Sequence, residues 1–344
     1  METFSEPDFR IKGHSRIYIG RAGDLLPRLL AGEHRVVAVS DANIDRRHHG
    51  LLARYDHLLI GTGETVKTLH TAGSLYSRFI ERGIDRSSFV LAIGGGIVTD
   101  VAGFVASTYM RGLRFGFVST SLLGQVDASV GGKNGVNVGG YKNMVGTFSQ
   151  PEFVICDVEL LRTLPLREFR AGMAEVVKAG ILADGELFAA LEACTPEELR
   201  QRTELLERVV RAAIRVKAEI VERDEREAGE RRKLNLGHTL GHAIEKCSPQ
   251  MNHGEAVAVG TVLAARMAVK LGLLDEEACA RIRNLMERQG FTLTPPVELR
   301  KLLKAVEKDK KAAGGRIDFV LPTGIGSCTI RSLTTSEIAA ALGE

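Results

Sequence analysis

The hydrophobic period of this chain changes once, near Leu164-Pro165, and that change limits the fold more than any other feature. Before it, Ile17–Ile19, Val36–Ser40, His57–Ile60, Phe89–Ile93, Gly116–Ser119 and Val154–Cys156 read as strands. Amphipathic stretches such as Thr65–Arg82 and Asp100–Tyr109 lie between them. Strands alternating with helices predict a parallel sheet covered on both faces. After the change, Leu166–Ala179, Pro196–Ala228, Leu236–Cys247, Glu255–Leu271, Asp275–Gln289 and Glu298–Glu307 carry the 3.6-residue period of helices. Thr195-Pro196-Glu197-Glu198 has the cap and first-turn proline of a helix start, and Gly272 and Gly290 stand where helices should stop. Ile317–Leu321 and Cys328–Ile330 can form a small hairpin. Two domains are expected: α/β over 1–165 and mainly helical over 166–344.

Bulk properties remove several function classes. A net charge of +3 with no long basic block gives no reason to expect nucleic acid. No apolar run approaches the ~18 residues of a membrane span. The N-terminus lacks a basic-then-apolar signal pattern. The five cysteines are scattered and form no CxxC, which argues against a disulfide framework and suits a reducing compartment. A cytoplasmic protein is expected.

The first half carries a dinucleotide-like pattern. Strand Phe89–Ile93 runs into Gly94-Gly95-Gly96-Ile97-Val98-Thr99-Asp100 and then a helix. Such glycines let a phosphate approach the backbone and the helix N-terminus, or they only make a tight turn. The motif is not GxGxxG. Asp41 and Asn43, Gly63-Glu64 with Lys67, and Thr120-Ser121 all follow predicted strands, where open α/β sheets bind ligands. Taken alone, Asp41 or Thr120 would more simply cap a loop.

The second half carries a metal-like pattern. His238 and His242 stand at i and i+4 on one helix face, His253 precedes the next helix, and Glu175 lies in Gly172-Met-Ala-Glu-Val-Val-Lys178. Mixed nitrogen and oxygen donors suit a catalytic Zn²⁺ with one position open. Spacing alone selects His238 and His242 as the ligand pair. Between the two patterns, Leu122–Gly146 is long, polar and glycine-rich, and reads as a functional loop. Its Lys133, Lys142 and Asn143, with Arg111 upstream, offer donors for phosphate or carboxylate. Lys217, Arg231, Lys310 and Lys311 extend this basic set, or are helix-surface charges that only aid solubility.

Four blocks in order carry a family resemblance: Ser121-Leu-Leu-Gly-Gln-Val-Asp-Ala-Ser-Val-Gly-Gly-Lys133, Gly172–Lys178, Leu234-Asn-Leu-Gly-His-Thr-Leu-Gly-His-Ala-Ile-Glu245 and His253-Gly-Glu-Ala-Val257. From about Asp41 to Leu321 the chain resembles the 3-dehydroquinate synthases. The resemblance implies a Rossmann-like α/β domain followed by an all-α metal-binding domain, with NAD, zinc or cobalt, and a homodimer. By this likeness Glu175, His238 and His253 bind the metal, and His242 handles protons. NAD would meet Asp41, Asn43, Glu64 and Lys67, then the Gly95-Gly96-Ile97-Val98-Thr99-Asp100 turn. Thr120, Ser121, Asp127, Lys133, Lys142 and the segment Leu161-Arg162-Thr163 would complete its contacts. Arg111, Asp127, Lys133, Asn143, Lys178, Lys217, Arg231, Asn235, His242 and Lys310 would meet substrate. Thr99, Ser121, Thr62 and Arg162 depart from the commoner family residues without removing a needed group.

The reaction so implied converts 3-deoxy-D-arabino-heptulosonate 7-phosphate, a sugar-acid phosphate, to 3-dehydroquinate and phosphate in the shikimate pathway. It runs through transient oxidation by NAD, phosphate elimination, re-reduction and an intramolecular aldol step. The alternatives are another sugar phosphate cyclase or a metal- and NAD-dependent polyol dehydrogenase. A dehydrogenase would not need the Gly131-Gly-Lys133 segment or Asn143.

Overall fold

The structure, a computed structural model, describes residues 6–310 and 315–343, without the side chains of 307–310. The chain divides into two compact units, Met1–Pro165 and Leu166–Glu344.

In the first unit the strands are β1 Phe9–Ile11, β2 Ser15–Ile19, β3 Val36–Asp41, β4 Asp56–Ile60, β5 Phe89–Gly94, β6 Arg114–Ser119, β7 Lys133–Val138, β8 Tyr141–Phe148 and β9 Phe153–Cys156. The helices are α1 Ala22–Leu29, α2 Ala42–Leu52, α3 Leu69–Glu81 and α4 Gly96–Thr108. Seven strands form one sheet in the order β1-β2-β9-β6-β5-β3-β4. Only β1 runs antiparallel to its neighbour. Every residue of central β5 is buried, as a parallel strand covered on both faces requires. Because β3, β5, β6 and β9 are parallel, their carboxyl ends share one edge, and that edge carries the glycine turn and Thr120.

Three local expectations change. The Leu122–Gly146 stretch is not a loop: Gly124–Ala128 forms a π-helical turn, and β7 pairs antiparallel with β8. Gly139 and Gly140, at φ 59° and 80°, make the hairpin turn that side-chain-bearing residues rarely adopt. The glycines along β7 and β8 had hidden the strand alternation. Thr65–Arg82 splits into a 3₁₀ turn, Glu64–Val66, and α3, whose start is capped by the Thr68 hydroxyl accepting from Thr71 N–H. Pro196–Ala228 breaks at Arg202, whose backbone is not helical, and ends at Arg223. There the Asp224 carboxylate accepts the N–H groups of Ala228, Gly229 and Arg231, turning the chain out of the helix.

The second unit contains α5 Leu166–Ala183, α6 Gly185–Glu192, α7 Pro196–Gln201, α8 Thr203–Arg223, α9 His238–Cys247, α10 His253–Lys270, α11 Glu276–Arg288, α12 Leu299–Lys310 and α13 Thr335–Leu342. A hairpin of β10 Arg316–Gly324 and β11 Ser327–Thr334 joins them. Helix α10 is buried almost all round, so its neighbours must come close on several sides. Small residues permit this. A Cβ on Gly260 would lie 2.1 Å from the Gly237 carbonyl oxygen, and one on Gly254 would lie 2.3 Å from the Ala171 backbone. α10 is thereby drawn against the first turn of α9 and against α5.

Helix propensity alone would favour Gly260→Ala by roughly 0.5–1 kcal/mol. The Gly237 backbone cannot move aside as a flexible side chain would, so overpacking should dominate. The substitution is expected to cost at least about 1–3 kcal/mol. Urea unfolding checks this, and an unchanged or raised midpoint would show that the two helices are not in close contact.

Candidate functional site

Three helices of the second unit bring Glu175, His238 and His253 together. Each offers one ligand atom, and these atoms all lie within 4.8 Å of one another. Glu175 sits midway along α5, where every residue from Ala171 to Leu182 is buried. His238 and His253 are the first residues of α9 and α10. Gly237, at φ 78°, turns the chain into α9. The Asn252–Glu255 capping box starts α10. Arg167 donates to both oxygens of Glu255 at 2.7 Å, tying the start of α10 to α5.

The geometry around Glu175 suits a cation. His238 Nδ1 lies 3.0 Å from the Leu236 carbonyl, which can only accept, so Nδ1 carries the proton. Burial, reinforced by the nearby Lys178, pushes this imidazole down to about 3, so it is neutral at physiological pH. Its Nε2 therefore presents a lone pair, and that lone pair faces Glu175 Oε1 across 3.6 Å. Two acceptors so placed are stable only with positive charge close by. His253 Nε2 lies 3.3 Å from the same oxygen, and its Nδ1 lies 3.4 Å from Glu245 Oε1. Burial opposes charge on His253, but Glu175 and Glu245 outweigh it and raise the imidazole to about 9. Lys178 also pairs with Glu175. One carboxylate and two imidazoles match a divalent zinc-type donor set, with a position left for substrate or water.

Other residues of this unit flank the cluster or lie apart from it. His242 is exposed, with its ring edge-on to His238 at 5.4 Å between centroids and 6.5 Å from His253. Arg231 is 2% exposed; its Nη1 donates to the Glu225 carbonyl. Asn235 donates to Glu227 at 2.7 Å, and Lys217 is buried on α8. Lys310 ends α12, but its side chain, like all of Lys311, lies outside the described residues. The sequence motifs alone do not point to Glu245. The available signal was its place seven residues after His238, two turns along one helix face.

In the first unit, Gly95 precedes α4 with no side-chain cap on its first-turn N–H groups. A Cβ on Gly95 would lie 3.1 Å from Ser121 Oγ, and one on Gly96 3.0 Å from Ala128 Cβ. Ile97 and Asp100 are half-buried, while Val98 and Thr99 are buried. Lys67 is 5% exposed and paired with Asp100. Burial pushes the Asp100 carboxyl up, against the pull of Lys67. Asp41 caps α2, its Oδ1 accepting from Asn43 N–H at 2.8 Å and Ile44 N–H at 3.1 Å. Glu64 accepts from Asn137 at 2.8 Å, and Thr120 is buried at the end of β6. Asp127 is half-buried in the π-helical turn. Leu161 is buried, Arg162 pairs with Glu159, and Thr163 meets His48 Nε2 at 2.7 Å. Lys133, Lys142 and Asn143 are exposed on the β7–β8 hairpin. Arg111 is exposed after α4; it and Asn143 have positive φ, 69° and 52°.

Comparison with known proteins gives one family. Residues 57–171 match the family model "3-dehydroquinate synthase N-terminal", and residues 172–312 match "3-dehydroquinate synthase C-terminal". The 3-dehydroquinate synthase of Alkaliphilus metalliredigens is 40% identical over 94% of this chain and 94% of its own length. That of Rippkaea orientalis is 44% identical over 81% of this chain and 78% of its own length. Among solved structures, 2-epi-5-epi-valiolone synthase from Streptomyces hygroscopicus subsp. jinggangensis, with NAD⁺ and Zn²⁺ bound, is 27% identical with a TM-score of 0.86. That alignment covers 99% of this chain and 98% of the other. A probable glycerol dehydrogenase from Sinorhizobium meliloti, 16% identical with a TM-score of 0.63 over 97% of each chain, shares the fold.

The charge arrangement around Glu175 has a direct spectroscopic consequence. In protein stripped of metal, His253 should titrate near pH 9, while His238 should stay neutral to well below pH 5. Imidazole NMR signals followed against pH test this. Both rings titrating near the ordinary value of about 6.5 would contradict the arrangement.

Proposed function

The chain belongs to the 3-dehydroquinate synthase family, and on that premise we propose that it converts 3-deoxy-D-arabino-heptulosonate 7-phosphate to 3-dehydroquinate and phosphate with NAD and one divalent metal ion. The observation that carries the metal is the lone pair of neutral His238 facing the buried Glu175 carboxylate. Glu175, His238 and His253 would hold the ion. When bound, the ion acidifies a substrate hydroxyl and NAD takes up and returns a hydride.

The remaining steps fall to this chain's side chains. In the second unit, Lys178 balances the negative charge of Glu175. His242, exposed beside His238, can pass a proton at ring opening. Lys217, Arg231 and Asn235 would orient the substrate, together with Lys310. In the first unit, the uncapped start of α4 would take the pyrophosphate, and Asp41, Glu64 and the Lys67–Asp100 pair would set the rest of the dinucleotide. Asn43, Thr120, Ser121, Asp127, Lys142 and Leu161–Thr163 would complete that contact. Lys133, Asn143 and Arg111 would supply phosphate donors. Holding a reactive intermediate in one orientation accounts for much of such a sequence.

Two finer statements belong to the same reading. The chain acts in the cytoplasm, in keeping with five free thiols, and it acts as a homodimer. Among the described residues no helix is long and apolar enough to cross a membrane. The dehydrogenase alternative has little behind it, since the dehydrogenase neighbours share the fold at only 14–16% identity.

The decisive assay supplies heptulosonate phosphate with NAD⁺ far below the substrate concentration. Phosphate and dehydroquinate should form together through many turnovers, with no net NADH. Phosphate stopping at one equivalent of NAD⁺, or accumulating NADH, would reject the cyclase reading. His253→Ala should lose bound metal and nearly all activity while keeping its far-UV circular dichroism. Full activity in that variant would overturn the ligand assignment.

A further inference from the structure

We propose that Glu245 is a positioning residue for the divalent cation, acting through His253; this rests on the reading that Glu175, His238 and His253 hold that cation. Helix α9 begins at His238, and Glu245 follows two turns later on the same face. That face meets the first turn of α10. There a single imidazole spans two carboxylates, with His253 Nε2 3.3 Å from Glu175 Oε1 and Nδ1 3.4 Å from Glu245 Oε1.

Glu245 is not itself in the group whose donor atoms lie within 4.8 Å of one another. Its place is behind the ring. A carboxylate facing Nδ1–H fixes the tautomer with the lone pair on Nε2, sets the ring plane, and makes Nε2 a stronger donor. The Glu245 side chain is 7% exposed, so water screens this interaction little. His238 is held differently, by the neutral Leu236 carbonyl at 3.0 Å. Of the two imidazoles, His253 is therefore the one whose donor strength depends on a charged partner. The negative charge of Glu245 also adds to that of Glu175 on the two sides of this ring.

The test is metal affinity, measured apart from turnover. Wild type, His253→Ala, Glu245→Ala and Glu245→Gln would be stripped of metal and titrated with Zn²⁺ against a chromophoric chelator. Glu245→Ala should weaken Zn²⁺ binding about 10–100-fold. Glu245→Gln should weaken it by a smaller factor, about threefold to tenfold, because its amide oxygen can still accept from Nδ1–H but carries no charge. In Zn²⁺-loaded protein, ¹⁵N NMR should show His253 coordinated through Nε2, with that signature lost or mixed in Glu245→Ala. Wild-type affinity in Glu245→Ala, alongside weak binding in His253→Ala, would overturn the role of Glu245 alone. Wild-type affinity in His253→Ala would overturn the ligand set beneath it. If Glu245→Ala does not fold, the near-isosteric Gln variant decides, and wild-type affinity there overturns the proposal.

Discussion

Burying a carboxylate costs several kcal/mol unless positive charge and donors accompany it. Glu175 is 3% exposed in the middle of a buried helix, and the second unit is arranged around meeting that cost. Lys178, one turn along α5, supplies one charge. A proton on His253 supplies another when no ion is bound, and Glu175 and Glu245 favour that proton against the cost of burial. His238 supplies none, because burial and Lys178 keep it neutral. A divalent ion meets all three conditions together. It would neutralise the carboxylates, use the lone pair of His238 and displace the His253 proton. Metal uptake there would therefore release a proton from His253.

The convergence of these three side chains is a consequence of backbone packing. They come from three helices, so an error of about 1 Å in helix position would spoil the donor set. The close approaches at Gly254–Ala171 and Gly260–Gly237 leave no slack, because atoms in backbone contact cannot slide without a clash. The glycine at 254 follows His253 directly, and the glycine at 237 precedes His238. The residues that carry no side-chain chemistry thus fix where the three side chains meet. The bidentate Arg167–Glu255 pair adds direction at the exposed end of the same helix, where an isolated ion pair would contribute little stability.

The parallel sheet and most helices of the second unit were legible in the sequence, because buried β-branched runs and the 3.6-residue period are strong local signals. The β7–β8 hairpin was not. Its strands are interrupted by Gly135, Gly146, Asn134 and Asn143, so alternation is diluted, and the pairing depends on glycines meeting across strands. The break at Arg202 was also hidden, since nothing in Gln201-Arg202-Thr203 forbids a helix. For the candidate site, the i, i+4 spacing of His238 and His242 is visible in the sequence, but spacing cannot say which ring turns inward. The fold separates them: His238 is buried at a helix start, while His242, one turn on, is exposed. Glu245 shows the same limit, because its partner is on another helix.

Structural work and ligand binding need not compete for one residue, and Asp41 shows why. As an N-cap it looks fully explained. Both of its capping contacts, from Asn43 and Ile44, fall on Oδ1. Oδ2 takes no part in the cap, and the cap holds the carboxylate in a single orientation at the carboxyl end of β3. A group fixed in this way has already lost its rotational freedom before a ribose hydroxyl arrives, so little more entropy is lost on binding. The Lys67–Asp100 pair follows the same logic, since each side chain holds the other in place at the start of α4. Capping and recognition would then be consecutive uses of one ordered side chain. This is why the plain reading of such residues as loop caps does not weigh against a role in cofactor binding.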